Sequence, residues 1–170
     1  MEPMTQLEKI YERHSSALFA FILNLLRDEE LTKEVLQNLF RKLAARPQIL
    51  DRAHKERPYL MQMAHNQAID LIRKNRTATR YHDLYGSEHT NLFAPTPDPD
   101  LAAFRKALSD SVQQLPEEQR MVVHLKLWER FTFEQIGTTL DISPHTAASR
   151  YRYGLDKLRT LLRPLYNEIQ

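Results

Sequence analysis

The chain has 170 residues, 42% of them apolar and 27% charged, the balance of a soluble, core-forming protein. It contains no cysteine, which removes disulfides, thiolate metal sites and cysteine nucleophiles. A net charge of +2 does not by itself declare a polyanionic partner, so any nucleic-acid surface must come from local clusters of Lys and Arg.

Only three glycines predict an all-α fold, because sheets joined by hairpins need repeated positive-φ turns. No apolar run approaches the length of a membrane span, and Met1-Glu2-Pro3 lacks the basic and apolar regions of a signal peptide. A cytoplasmic protein is expected. From Thr5 to Leu26, Leu7, Ile10, Tyr11, Leu18, Phe21, Ile22 and Leu25 recur at three- and four-residue steps, which predicts an amphipathic first helix. Arg27-Asp28-Glu29-Glu30 interrupts the pattern, and Leu31, Val35, Leu39, Phe40 and Leu43 resume it as a second helix up to Arg46-Pro47. The charged stretch between Pro47 and Pro58 reads as a loop with room for one helical turn.

A third helix is predicted from Pro58 to about Thr77. Its packing side is Leu60, Met63, Ala64, Ala68, Leu71 and Ile72, while Tyr59, Asn66, Asp70 and Arg73 project within roughly 60° of arc at about 100° per residue. Lys74, Arg76 and Arg80 extend a basic run suited to a phosphate backbone. Opening a duplex forfeits stacking of order 1–2 kcal/mol per step, and an aromatic or an amide replaces part of it. Tyr59 and Asn66 have that chemistry. Taken singly, each has a plainer reading as a core-edge aromatic, a solvated amide and a solvated helix end.

Residues 83–100 gather Asp83, Gly86, Ser87, Pro95, Pro97 and Pro99, a composition that buries too little apolar area to fix itself and predicts a flexible linker. The expected partition is therefore 1–82, linker 83–100, and 101–170. Beyond the linker, Leu101–Leu115, Pro116–Glu129, Thr132–Leu140 and Pro144 to about Leu162 read as four helical segments. Thr132-Phe133-Glu134-Gln135 fits a capping box. Phe133, Ile136, Gly137 and Leu140 face inward, with Gly137 allowing a crossing helix to come close. After the tight turn Asp141-Ile142-Ser143, Ser143 caps the next helix and Pro144 takes its first position. On that helix Ala147, Tyr151, Gly154, Leu155 and Leu158 share a packing face, and His145, Ser149 and Arg152 share the other. A helix of this kind fits the major groove, where Arg pairs with guanine edges. Arg150, Arg159 and Arg163 suit phosphates better.

Leu115-Pro116-Glu117-Glu118-Gln119-Arg120, Phe133-Glu134-Gln135-Ile136-Gly137 and Thr146-Ala147-Ala148-Ser149-Arg150 together resemble region 4 of the sigma-70 family. The resemblance implies that a helix bearing His145, Thr146, Ala148, Ser149, Arg150 and Arg152 reads a minus-35 promoter element, with the preceding stretch seated on the polymerase beta subunit. Ala148 and Tyr153 stand where family members often carry a basic residue, so base preferences do not carry over. Pro58-Tyr59-Leu60, Ala64-His65-Asn66, Ala68-Ile69-Asp70 and Ile72-Arg73 resemble regions 2.3 and 2.4. There the likeness implies minus-ten recognition and melting by Tyr59, Asn66, Asp70, Arg73, Lys74 and Arg76, with Asn66 holding a flipped base and loop residues 51–57 setting specificity. Glu34-Val35-Leu36-Gln37-Asn38-Leu39-Phe40 resembles region 2.2, which implies docking of Glu34, Gln37, Asn38 and Phe40 on the beta-prime subunit. Family members usually have an acid where Asn38 stands.

Two sigma domains and no more make the chain similar to the extracytoplasmic-function group. The likeness implies a region 2 bundle of three or four helices and a region 4 helix-turn-helix bundle, and as partners RNA polymerase core and promoter DNA. The sequence leaves open an anti-sigma factor, since apolar faces that pack on polymerase serve an inhibitor equally. No cofactor, metal, catalytic residue or small-molecule substrate is expected: the seven histidines are scattered, with no His-Glu-x-x-His pair and no phosphate-binding glycine loop. The rival readings are a helix-turn-helix repressor or activator acting apart from polymerase, which would bind duplex DNA alone, and a pure interaction adaptor, which leaves Ser149, Arg152 and the basic 73–80 run unexplained.

Overall fold

The computed structural model describes residues 3–52, 55–75, 93 and 96–169, and among these every regular element is a helix. The chain divides into two compact units, Met1–Glu88 and His89–Gln170.

In the first unit α1 (Gln6–Leu26), α2 (Glu29–Ala45) and α3 (Glu56–Asn75) pack on one another, with a 3-10 turn over Pro47–Arg52. Local chemistry sets each end. Thr5 caps α1 in a reciprocal box with Glu8, which satisfies two otherwise orphaned amides. Arg27 takes a left-handed conformation and its amide donates to the Leu23 carbonyl, ending the helix. Asp28 then accepts from the Leu31 amide at 2.9 Å and starts α2. Leu18, Phe21, Ile22, Leu39, Leu43, Leu60, Met61, Ala64 and Ala68 are fully buried, and each large apolar side chain among them contributes about 1.5–3 kcal/mol.

Three expectations for this unit are corrected. Tyr11, placed in the apolar stripe, is 51% exposed and meets the ring of Phe40 edge-on, 4.9 Å between centroids. Met61 is buried in the core, whereas Met63, Leu71 and Ile72 are only half-buried. Finally, α3 starts at Glu56, two residues before Pro58, because a proline in the first turn lacks only an amide that would have no intrahelical partner.

The second unit contains α4 (Pro99–Gln113), α5 (Glu117–Leu127), α6 (Phe133–Leu140) and α7 (Pro144–Ile169). Asp98 caps α4 by accepting from the Asp100 and Leu101 amides, so the last two positions of the predicted linker are helical. Phe93, also placed in that linker, packs on the core of Val112, Leu115, Val123 and Leu158, with its ring 5.4 Å from Trp128 and beneath Arg105. Most of the remaining linker lies outside the described residues. Helix α7 continues past the expected end at Leu162, with Pro164 in its interior. Leu161, Leu162 and Leu165 are half-buried on either side of that proline, and their burial offsets the lost backbone bond.

His124 is 1% exposed, and burial pushes its imidazole down to about 3. It stacks as the neutral ring on Trp128, 5.7 Å between centroids.

Candidate nucleic-acid and polymerase interfaces

The helix-turn-helix follows from local residues at its helix ends and turn. Thr132 and Gln135 form the expected capping box, at 3.1 and 3.0 Å. Asp141 adopts φ 56°, and its amide and that of Ile142 both return to the Gly137 carbonyl, closing the turn after α6. A Cβ on Gly137 would lie 2.6 Å from the Ile142 carbonyl oxygen. The glycine is thus demanded by the turn itself and not, as the sequence implied, by a crossing helix. Ser143 Oγ accepts from the Thr146 amide at 3.0 Å and starts α7, with Pro144 as its first residue.

The close crossing occurs elsewhere. A Cβ on Gly154 would stand 2.7 Å from Val123 Cγ2, so α7 lies hard against α5. Ala147, Gly154 and Leu158 face inward and are buried, with Tyr151 and Leu155 half-buried. His145 and Arg152 are exposed on the other side. The Arg152 guanidinium stacks 5.3 Å from the centroid of Tyr153, a ring 58% exposed; a stacked guanidinium keeps its fork of donors available. Thr146, Ala148 and Ser149 are half-buried at the rim. Arg150, expected to meet phosphates, reaches the exposed Glu118 carboxylate at 3.5 Å in the free chain. Arg159 pairs with Asp156, and together with Arg163 it borders a groove of about 420 Å³ lined by Leu108, Leu127, Leu155, Leu162 and Tyr166.

On α3 the seven-residue steps from Tyr59 to Asn66 to Arg73 bring those side chains into one line. Asn66, Asp70, Arg73 and Lys74 are exposed, and Tyr59 is half-buried at the head of the line. Arg76 lies outside the described residues, as do 53 and 54 of the candidate specificity loop. On α2, Glu34 and Gln37 are exposed. Asn38 accepts from Arg41 at 3.3 Å, and Phe40 is half-buried against Tyr11.

Sequence reasoning overlooked two residues near these surfaces. Tyr11 extends the α2 face with an exposed ring; its place at the edge of an apolar stripe was the available signal. His14, buried on α1, contacts Glu56 at the start of α3, and a partner 42 residues away leaves no local sign. Among the described residues no group of three or more His, Asp or Glu side chains is placed to hold a metal, and no helix is long and apolar enough to cross a membrane.

The chain thus has two helical units, the second with a helix-turn-helix over α6 and α7, an architecture found in DNA-binding transcription proteins. Residues 10–78 match the family described as Sigma-70 region 2, and residues 112–160 match Sigma-70, region 4. RNA polymerase sigma factor CarQ of Myxococcus xanthus is 30% identical over 164 residues, spanning 95% of this chain and 92% of CarQ. ECF RNA polymerase sigma factor SigL of Mycobacterium tuberculosis is 29% identical over 160 residues, 92% and 88% of the two chains. The sigma factor RpoE, solved in complex with the anti-sigma factor NepR from Bartonella quintana, shares the fold: the TM-score is 0.74 at 18% identity, covering 94% of this chain and 98% of RpoE. The chain belongs to the sigma-70 family of RNA polymerase sigma factors, in its extracytoplasmic-function group. Sigma factors are non-enzymatic subunits of transcription initiation that bind polymerase core and promoter DNA. Directing the core to promoters is the function of this chain, and the repressor or activator reading is set aside.

Proposed function

We propose that the first unit docks on polymerase through α2 and captures the opened minus-ten strand on α3, while α7 anchors the enzyme at the minus-35 element. On α2, Glu34, Gln37, Asn38 and Phe40 make the polymerase contact. On α3, Asn66 holds a flipped base, Tyr59 stacks, and Arg73, Lys74 and Arg76 hold the backbone beside Asp70. On α7, Arg152 and Ser149 read bases, with His145, Thr146, Ala148 and Arg150 around them. The segment within 83–100 joins the two units as a linker, with its far end tied down by Phe93 and Asp98. The protein acts in the cytoplasm and catalyses no reaction itself, and an anti-sigma factor is a further partner.

The observation that carries this reading is the exposed line of Asn66, Asp70 and Arg73 on a helix whose opposite face is buried through Leu60, Met61, Ala64 and Ala68. Polar and charged groups aligned beyond a packed face are placed to receive a strand. The test adds the purified chain to core polymerase on genomic DNA and sequences the transcripts. New start sites sharing two upstream elements are expected; a chain that binds DNA alone and leaves start sites unchanged would contradict the proposal.

A further inference from the structure

We propose that His14 is a positioning residue for strand opening: buried on α1, it holds Glu56 and so fixes the first turn of α3. The inference rests on the reading of α3 as the strand-capturing helix.

The His14 side chain is 6% exposed, in a stripe otherwise made of Ile10, Leu18, Phe21 and Ile22. Its Nε2 lies 2.5 Å from Glu56 Oε1, and the Arg13 guanidinium donates to the same oxygen at 3.0 Å. Glu56 is the first residue of α3 and belongs to the candidate specificity loop. Three residues further stands Tyr59, whose amide donates to the Lys55 carbonyl in the first turn. One carboxylate oxygen therefore ties α1 to the head of the DNA-facing line.

Nε2 is the ring nitrogen that faces the carboxylate, and a proton there lets it donate to Glu56. The polar edge of the buried ring is thus turned to the first residue of α3.

A position needing only volume would take Phe or Leu without a polar atom to satisfy. A buried donor paired with a half-exposed carboxylate adds little net stability over an apolar side chain of similar size, but it fixes geometry. Recognition of a base requires its contacts held to within roughly 0.5 Å. That contrast separates positioning from packing in an experiment.

His14→Phe, His14→Gln, Glu56→Ala and the double variant His14→Phe with Glu56→Ala are made in the full chain and assembled with core polymerase. The promoter is one mapped from the start sites of the wild-type enzyme. His14→Phe should bind core within about twofold of wild type, yet lose about tenfold in discrimination against single-base changes of the minus-ten element. His14→Gln, whose amide can reach the same oxygen, should recover most of that loss, and the double variant should lose no more than either single one. Wild-type discrimination in His14→Phe, or equal loss in the Phe and Gln variants, overturns the proposal. Should His14→Phe fail to fold, Glu56→Ala carries the same prediction on a half-exposed side chain, and unchanged discrimination there overturns it. A wild-type chain that opens no promoter instead overturns the reading of α3 on which the proposal stands.

Discussion

Arg152 and His124 show how differently two polar side chains of one unit are used. Arg152 is exposed and stacked on Tyr153, which leaves its fork of donors available. Arg152→Ala should weaken discrimination at one base pair of the upstream element by about 1–3 kcal/mol, measured as binding of the polymerase complex to promoter variants. Uniform weakening across all variants would assign Arg152 to a phosphate instead. His124 is held neutral in the core, with its imidazole pushed down to about 3 by burial. Below the ordinary value of 6.5 the unfolded chain takes up a proton that the folded chain refuses. The stabilisation is thus whole above 6.5 and is lost as pH falls toward 3, at up to about 1.4 kcal/mol per pH unit. Trp128, the single tryptophan, adjoins His124 and reports the unfolding of this unit. Its urea transition should lose about 2 kcal/mol between neutrality and about pH 5, and His124→Phe should remove that dependence; an equal acid loss in the variant would place the cause elsewhere. Arg152 was legible from its place opposite the apolar face. The Arg150–Glu118 pair was not, because helical periodicity gives a side chain's direction but not the neighbour it meets across a crossing.

At the scale of elements, the helix ends were the most legible features, because their causes are local. Thr132 with Gln135, and Ser143 before Pro144, satisfy orphan amides within four residues of chain. Elements set by tertiary contact were harder to read. The end of α7 depends on apolar burial around Pro164, and the choice of Met61 over Met63 for the core depends on how α3 rolls against α1 and α2. Gly137 lies between the two cases: its need for a missing side chain was visible, but the backbone pressing on it belongs to the turn. Gly137→Ala gains up to about 1 kcal/mol in helix propensity, yet it drives a Cβ into the Ile142 carbonyl, which can yield only if the turn moves. A net loss of about 1–3 kcal/mol is expected, seen as a lower midpoint for the Trp128-reported transition. A variant more stable than wild type would show that the turn relaxes freely.

For the whole molecule, two units with separate cores divide the work: one carries the helix-turn-helix and the other the exposed line on α3. Composition and helical period were enough to anticipate two helical bundles. Phe93 was not legible as a core contact, since it stands in a polar, proline-rich stretch and its packing on Trp128 and the core around Val112 is a long-range event. The candidate site was legible because most of its residues are exposed or half-buried in fixed order on regular helices, where spacing reports their direction. The supports beneath them, His14 under Glu56 above all, are reached only through the fold.

The central claim is that α3 captures bases once the strands part, and permanganate reactivity of promoter thymines measures this most directly. With core polymerase and the wild-type chain, thymines of the minus-ten element should become reactive; with Asn66→Ala, binding to core should be retained and that reactivity should fall. Reactivity identical to wild type in the variant would contradict the account.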